Sequence, residues 1–90
     1  MAQARVFVYG RVQGVNFRYY TYRCAAKLGL KGYVHNLPDG RVEILAQGPQ
    51  EDVQKLLSYV RGNPGLSHVV KLDINWEKPL SGLSSFHIEF

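Results

Sequence analysis

The sequence predicts an α+β fold with the element order β-α-β-β-α-β and a short additional strand at the end of the chain. Two observations predict it. Segments in which apolar residues alternate every second position are interleaved with two segments of helical spacing. Glycine and proline interrupt the chain between these segments, as turns require. The 90 residues suffice for one hydrophobic core. We therefore expect residues 1–90 to form a single domain.

The first strand and the first helix are separated by a glycine-containing loop. Residues 6–9 (Val-Phe-Val-Tyr) are apolar on both faces, which is typical of a central strand. Residues 10–16 contain two glycines and end this strand. Helical spacing then predicts a helix whose apolar stripe comprises Phe17, Tyr20, Cys24 and Leu28, with Thr21 and Ala25 beside them. Gly29 suits the end of that helix, and the position of Cys24 on the stripe favours packing over reactivity.

A hairpin follows the first helix. Residues 31–37 and 41–47 have the pattern of two strands, and Pro38-Asp39-Gly40 between them is a turn sequence. Proline fixes φ at the start of such a turn, and glycine accepts the positive φ that its end requires.

The second half of the chain repeats the order helix, strand. Gly48-Pro49 precedes a helix that closes at Gly62 and Pro64, and its apolar stripe comprises Val53, Leu56, Leu57 and Val60. A half-buried strand is predicted next, with its apolar side formed by Val70, Leu72, Ile74 and Trp76. The same alternation predicts a short final strand through Phe86, Ile88 and Phe90.

Two βαβ halves joined through a hairpin form a ferredoxin-like sandwich. In this fold an antiparallel sheet carries both helices on one face, and here the short terminal strand is added to it. Because such a fold serves many functions, the function has to be inferred from individual residues.

The net charge would attract anionic ligands but is equally typical of small proteins without an anionic partner, and the cysteine content fits a reducing compartment. Eleven Lys and Arg against seven Asp and Glu give a net charge of +4, although the basic residues are spread along the chain. Cys24 is the only cysteine, which excludes an internal disulfide and a cysteine-based metal site. No run of 18 apolar residues occurs, and no secretion signal is recognised. We expect a cytoplasmic protein with no membrane partner.

The loop between the first strand and the first helix is the segment that could carry chemistry. Backbone N–H groups in a tight loop before a helix can converge on a phosphate. Gly10 and Gly14 would allow close approach of a ligand, and Arg18 could bind two phosphate oxygens with its planar fork. The spacing excludes a P-loop and a dinucleotide fingerprint. The alternative is that the glycines only shape a turn and Arg18 is a solvated helix residue.

Two segments together resemble the signatures of the acylphosphatase family. Gly10-Arg11-Val12-Gln13-Gly14-Val15-Asn16-Phe17-Arg18 is similar to the first signature, and residues 32–42, continuing to Gly48, are similar to the second. The resemblance extends over essentially the whole chain. It implies a small ferredoxin-like enzyme that hydrolyses the mixed anhydride of a carboxylic acid and phosphate, without a metal or another cofactor.

The resemblance also implies roles for individual residues. Arg18 resembles the phosphate-binding arginine, and Asn36 resembles the asparagine that positions the attacking water. The remaining loop residues resemble the phosphate cradle; they are Arg11, Val12, Gln13, Gly14, Val15, Asn16 and Phe17. Asn16 stands at a position that varies in the family. Because no side-chain base is evident, the resemblance implies that the substrate's own phosphate takes the proton of the water.

Two other functions remain open at this point. A small RNA-binding module has the same element order, and Phe7 and Tyr9 on the first strand could stack on bases, although residues 41–47 contain no aromatic residue. A non-catalytic phosphate-binding accessory domain is the other alternative. We expect acyl phosphate and inorganic phosphate as ligands, no nucleic acid partner, and a monomer.

Overall fold

A computed structural model describes every residue from 1 to 90 and shows five strands and two helices. Their order matches the predicted order, with the following bounds: β1 Ala2–Arg11, α1 Phe17–Lys27, β2 Lys31–Asn36, β3 Val42–Gly48, α2 Gln50–Arg61, β4 His68–Glu77 and β5 Phe86–Glu89.

The five strands form one mixed sheet in the order β4-β1-β3-β2-β5. The first four strands pair antiparallel, whereas β5 runs parallel to β2 at the edge of the sheet. Alternate residues of the strands and the buried stripes of α1 and α2 form one core cluster. The ferredoxin-like prediction is confirmed. The parallel direction of β5 is a finding that the alternating pattern of that strand could not supply.

The sheet brings the ends of β1 and β2 to the same edge. Both strands are antiparallel to β3, so they run in the same direction. Val42 of β3 pairs with Val8 of β1 on one side and with Asn36 of β2 on the other. Asn36 therefore lies level with Val8, close to where the chain leaves β1 for the loop that precedes α1.

A bulge in β4 changes which of its residues face the core. The register between β1 and β4 shifts at residues 9–10, so that Val70 pairs with no residue of β1. Val69 therefore joins Leu72 and Ile74 against the core, whereas Val70 is 72% exposed. Trp76 lies beside Ile74 and α2, as the alternation predicts, but is 46% exposed. The strand itself is confirmed, but the prediction that Val70 lies on its buried side is wrong. The extra residue reverses the alternation at that point.

The contact between β1 and β4 requires glycine at position 10, which the sequence alone did not indicate. Its φ is 131°, and a Cβ atom there would lie 2.1 Å from the carbonyl oxygen of His68 in β4. The close approach is between two strands at the bulge, and Gly10 does not line the cleft described below. The prediction that this glycine makes room for a ligand is therefore wrong.

Replacing Gly10 with alanine should lower the free energy of unfolding by about 3 kcal/mol, because backbone strain and a clash with a strand carbonyl add up. Gly82→Ala is the matched control, since its φ is 89° and a Cβ atom there would meet nothing within 4 Å. That variant should lose only about 1 kcal/mol. Denaturant titration of both variants measures the difference. Equal losses would contradict the assignment of the clash.

Both helices pack against the sheet, and α1 contains the only cysteine of the chain. Neither α1 nor α2 combines the length and the apolar character that a membrane-spanning helix needs. Cys24 of α1 packs against the core, and burial raises the pKa of its thiol. A raised pKa keeps the thiol protonated, so these observations support the packing role that the sequence favoured.

Candidate active site

A cleft of about 420 Å³ lies where the β1–α1 loop, the start of α1, the end of β2 and β5 meet. Nine residues line it: Val12, Gly14, Asn16, Phe17, Arg18, Tyr19, Asn36, Ile88 and Phe90. The structure therefore brings Arg18 of the first motif and Asn36 of the second motif into one cleft.

The backbone of the loop has the conformation of an anion-binding nest. Gly14 and Asn16 have φ values of 75° and 61°, and Val15 between them is not left-handed. Alternation of this kind forms a concavity lined by successive N–H groups. The backbone N–H groups of residues 12–19 donate no hydrogen bond within the protein. Together with the positive end of the α1 dipole, free donors of this kind could bind an anion.

Two buried side chains, at the start and the end of this loop, anchor it in the core. Val12 and Phe17 are each 1% exposed and belong to the core cluster. Their burial leaves the backbone between them on the surface, facing the cleft. Asn16 begins α1 in the left-handed conformation, which asparagine tolerates better than most residues, and its side chain makes no capping hydrogen bond.

Gln13 connects the loop to the turn after β2. Its side-chain amide donates hydrogen bonds of 2.9 Å to the carbonyl oxygens of Leu37 and Arg41. Leu37 follows Asn36 directly, so Gln13 joins the two parts of the site. Its side chain does not line the cleft. The Gln13 side chain thus ties the loop to the turn after β2, while its membership of the phosphate cradle stays a prediction for its backbone.

We expect Gln13→Ala to raise the inhibition constant for inorganic phosphate about tenfold, because the two hydrogen bonds that tie the loop to the turn after β2 are lost. Gln54→Ala, an exposed glutamine on α2, is the matched control and should leave phosphate binding unchanged. Competitive inhibition by phosphate measures both variants, with circular dichroism to show that they fold. Unchanged inhibition in Gln13→Ala would contradict a role of this side chain in holding the loop.

Arg18 projects from the first turn of α1 with its charge unpaired. Its Nη1 donates a 2.8 Å hydrogen bond to the carbonyl oxygen of Glu89, and its guanidinium carbon lies 4.8 Å from the ring centre of Phe90. No carboxylate forms an ion pair with it. The side chain is thus held in place by neutral groups, and its positive charge remains available to a ligand in the cleft.

Arg5 and Arg41 are neutralised by carboxylates, whereas Arg11 of the loop forms no ion pair and does not line the cleft. Arg5 forms ion pairs of 2.6 and 2.8 Å with Glu43 and Glu77 on the open face of the sheet. Arg41 forms a 2.8 Å ion pair with Asp39. The backbone N–H of Arg41, and then its side chain, lower the pKa of the Asp39 carboxyl. Among the residues that line the cleft, Arg18 is the only one with a charged side chain.

Asn36 ends β2 on the face of the sheet that the helices cover. Its side-chain carbonyl oxygen is buried and has no hydrogen-bond partner in the protein. An unpaired buried acceptor costs about 1–3 kcal/mol, which native proteins rarely tolerate without a function. A water molecule or a ligand in the cleft could satisfy this atom.

Several predicted residues lie outside the cleft. The side chains of Arg11 and Val15 line a separate groove behind the loop, together with Tyr20 and Leu66. None of the three histidines lines the cleft. His35 faces the opposite side of the sheet from Asn36, with its Nδ1 4.0 Å from a carboxylate oxygen of Glu89.

The sequence analysis missed the contribution of Tyr19 and of the last strand. Tyr19, Ile88 and Phe90 line the cleft, and the carbonyl oxygen of Glu89 holds Arg18. The alternation of Phe86, Ile88 and Phe90 did indicate a strand. Its place beside β2, which brings it to the start of α1, follows from a parallel pairing that no local pattern encodes.

Comparisons with known proteins agree with this arrangement. The sequence profile of the Acylphosphatase family matches residues 4–88. Acylphosphatase from Roseiflexus sp. (strain RS-1) is 44% identical over 88 residues, which cover 98% of this chain and 95% of that protein. The crystal structure of acylphosphatase from Bacillus subtilis is 41% identical and superimposes with a TM-score of 0.95 over 100% of both chains.

A similar unit also occurs within a larger protein. The crystal structure of T. kodakarensis HypF is 30% identical and has a TM-score of 0.86, but the match covers only 12% of that chain against 100% of this one. The matches to stand-alone acylphosphatases cover both partners almost completely. The chain therefore belongs to the acylphosphatase family, and its activity is the hydrolysis of acyl phosphates.

Proposed function

We propose that the backbone N–H groups of residues 12–18 and the guanidinium of Arg18 bind the phosphate of an acyl phosphate, while Asn36 positions the attacking water. One observation carries this proposal. A single cleft contains free N–H donors, an unpaired guanidinium and the unpartnered carbonyl oxygen of Asn36. The donors match a phosphate dianion, and the lone acceptor matches an O–H of water.

The position of the donors favours attack of water at phosphorus. Hydrogen-bond donors that surround the phosphoryl oxygens stabilise charge that builds up on these oxygens in the transition state. The water oxygen then forms a bond to phosphorus. The bond between phosphorus and the acyl oxygen breaks, and its electron pair leaves with the carboxylate.

The proton of the water goes to an oxygen of the phosphate. An amide cannot act as a base at neutral pH, so Asn36 only orients the water. No other side chain in the cleft could accept the proton. Positioning of the water against an already reactive anhydride supplies much of the rate.

Hydrolysis of benzoyl phosphate in water enriched with oxygen-18 tests this proposal. The label should enter the inorganic phosphate and not the benzoate, and a chelator such as EDTA should leave the rate unchanged. Mass spectrometry of both products measures the distribution. Label in the benzoate would show attack at the carbonyl carbon and contradict the proposed chemistry.

The surroundings of Phe7 and Tyr9 argue against an RNA-binding module. The guanidinium carbon of Arg41 lies 4.9 Å and 5.6 Å from the ring centres of Phe7 and Tyr9, and the ammonium group of Lys71 lies 5.1 Å from that of Tyr9. Phe7 and Tyr9 are half-buried, and cations of the protein already contact the exposed parts of the rings on which bases would stack. A gel shift with single-stranded RNA at low salt tests this alternative, and we expect none.

We further propose that residues 1–90 act as one monomeric, cytoplasmic catalytic domain without a nucleic acid or membrane partner. The match to a small part of HypF is the observation that favours a non-catalytic accessory role. Against it stands the presence of Arg18 and Asn36 in the same cleft. A protein that binds inorganic phosphate but hydrolyses no acyl phosphate would support the accessory role instead.

A further inference from the structure

The cleft is larger than a phosphate group needs, and its remaining lining is apolar. Its volume of about 420 Å³ lies in the range of pockets that hold small organic ligands. Beyond the loop residues, Arg18 and Asn36, the lining consists of Tyr19, Ile88 and Phe90. No charged side chain other than Arg18 contributes to it.

Two aromatic rings stand on the surface beside Arg18. Tyr19 follows Arg18 in the first turn of α1 and is 50% exposed, and Phe90 follows β5 and is 96% exposed. The ring centre of Phe90 is 4.8 Å from the guanidinium carbon of Arg18. Large apolar side chains that cluster at a cleft on a protein surface mark a contact site for a ligand or a partner.

The acyl group of a bound substrate has to occupy this apolar part of the cleft. The phosphate would lie against the N–H groups and Arg18, so the rest of the molecule projects from the loop into the remaining space. A charged acyl group would find no counter-ion there. Arg18 lies over one face of the Phe90 ring and Arg23 over one face of the Tyr19 ring, so a flat apolar group could pack against the part of each ring that stays exposed.

We infer that Tyr19 and Phe90 form an acyl-group subsite that selects acyl phosphates with aromatic or bulky apolar acyl groups. This inference rests on the proposed function, because it takes the position of the phosphate from it. Tyr19 contributes only to selectivity for the acyl group. Phe90 also packs on Arg18 and therefore contributes to phosphate binding as well.

The ratio of kcat/KM for benzoyl phosphate to kcat/KM for acetyl phosphate tests the inference. An aromatic contact corresponds to about a 3- to 10-fold effect in a binding constant. We expect Tyr19→Ala to lower the value for benzoyl phosphate by that factor and to leave acetyl phosphate within about twofold. Phe90→Ala should lower both values, and benzoyl phosphate more. Tyr59→Ala, an exposed tyrosine on α2 outside the cleft, should change neither.

Equilibrium binding provides a second measurement that does not depend on turnover. Phenylphosphonate should bind the parent protein more tightly than methylphosphonate, and Tyr19→Ala or Tyr19→Leu should remove most of the difference. Unchanged ratios in these variants, or equal losses for both substrates, would overturn the subsite while leaving the proposed function intact. Absence of hydrolysis of either acyl phosphate by the parent would instead contradict the proposed function.

Discussion

Replacing Arg18 with alanine should lower kcat/KM for benzoyl phosphate by about 10³-fold, because two charge-assisted hydrogen bonds to phosphate are lost at roughly 1.5–3 kcal/mol each. Inhibition by inorganic phosphate should weaken by a similar factor. The fold should persist, since the only hydrogen bond that the Arg18 side chain makes within the protein is to the exposed end of β5. Steady-state kinetics and denaturant titration measure the two effects separately.

Two further variants distinguish the geometry of the guanidinium from its charge. Arg18→Lys keeps the charge but not the planar fork, so we expect it to restore about one tenth or less of the lost activity. Arg61→Ala removes an equal charge from the exposed end of α2 and should leave kinetics unchanged. If Arg18→Ala still bound phosphate with the affinity of the parent protein, Arg18 would not be the phosphate ligand.

Replacing Asn36 with alanine should lower kcat by about 10²- to 10³-fold, the range found for loss of one positioned catalytic amide. The inhibition constant for inorganic phosphate should stay within about threefold of the parent value, because the loop and Arg18 remain. Kinetics at saturating substrate and phosphate inhibition measure the two quantities. A kcat equal to that of the parent protein would contradict the water-positioning role.

The stability of Asn36→Ala gives an independent check. The carbonyl oxygen of Asn36 makes no hydrogen bond within the protein, so replacement by alanine breaks none and should leave the free energy of unfolding unchanged or raise it. Asn75→Ala is the matched control because Asn75 donates a hydrogen bond to the carbonyl oxygen of Arg5 on the other face of the sheet. That variant should leave activity unchanged. A large loss of stability in Asn36→Ala would indicate a structural role instead.

Local patterns sufficed to predict the elements and the loop with the two glycines. The alternation in β2 correctly separated Asn36 from His35, which the structure places on opposite faces of the sheet. The apolar stripe of α2 was predicted because helical spacing is a local property of the sequence. In α1 the buried face comprises Phe17, Thr21 and Ala25, so the predicted stripe was displaced toward Tyr20, which lies outside the core cluster. The two motifs that carry the resemblance contain Arg18 and Asn36, which the structure brings into one cleft.

The rest depends on contacts between distant segments. That Asn36 lies level with Val8 follows from the register of two strands against β3, and the register is decided by packing over the whole sheet. The bulge at Val70 and the pairing of β5 with β2 are likewise tertiary features. For this reason the sequence could not assign Phe90 to the cleft or Gly10 to the contact with β4.

The most direct test of the central claim is a titration of nitrogen-15-labelled protein with inorganic phosphate, followed by amide chemical shifts. The claim is that the free N–H groups of the loop and Arg18 enclose a phosphate. We predict that the amide signals of residues 12–18 shift and saturate together with one dissociation constant, and that Arg18→Ala abolishes these shifts. Shifts confined to other parts of the chain, or no saturation in this loop, would contradict the account.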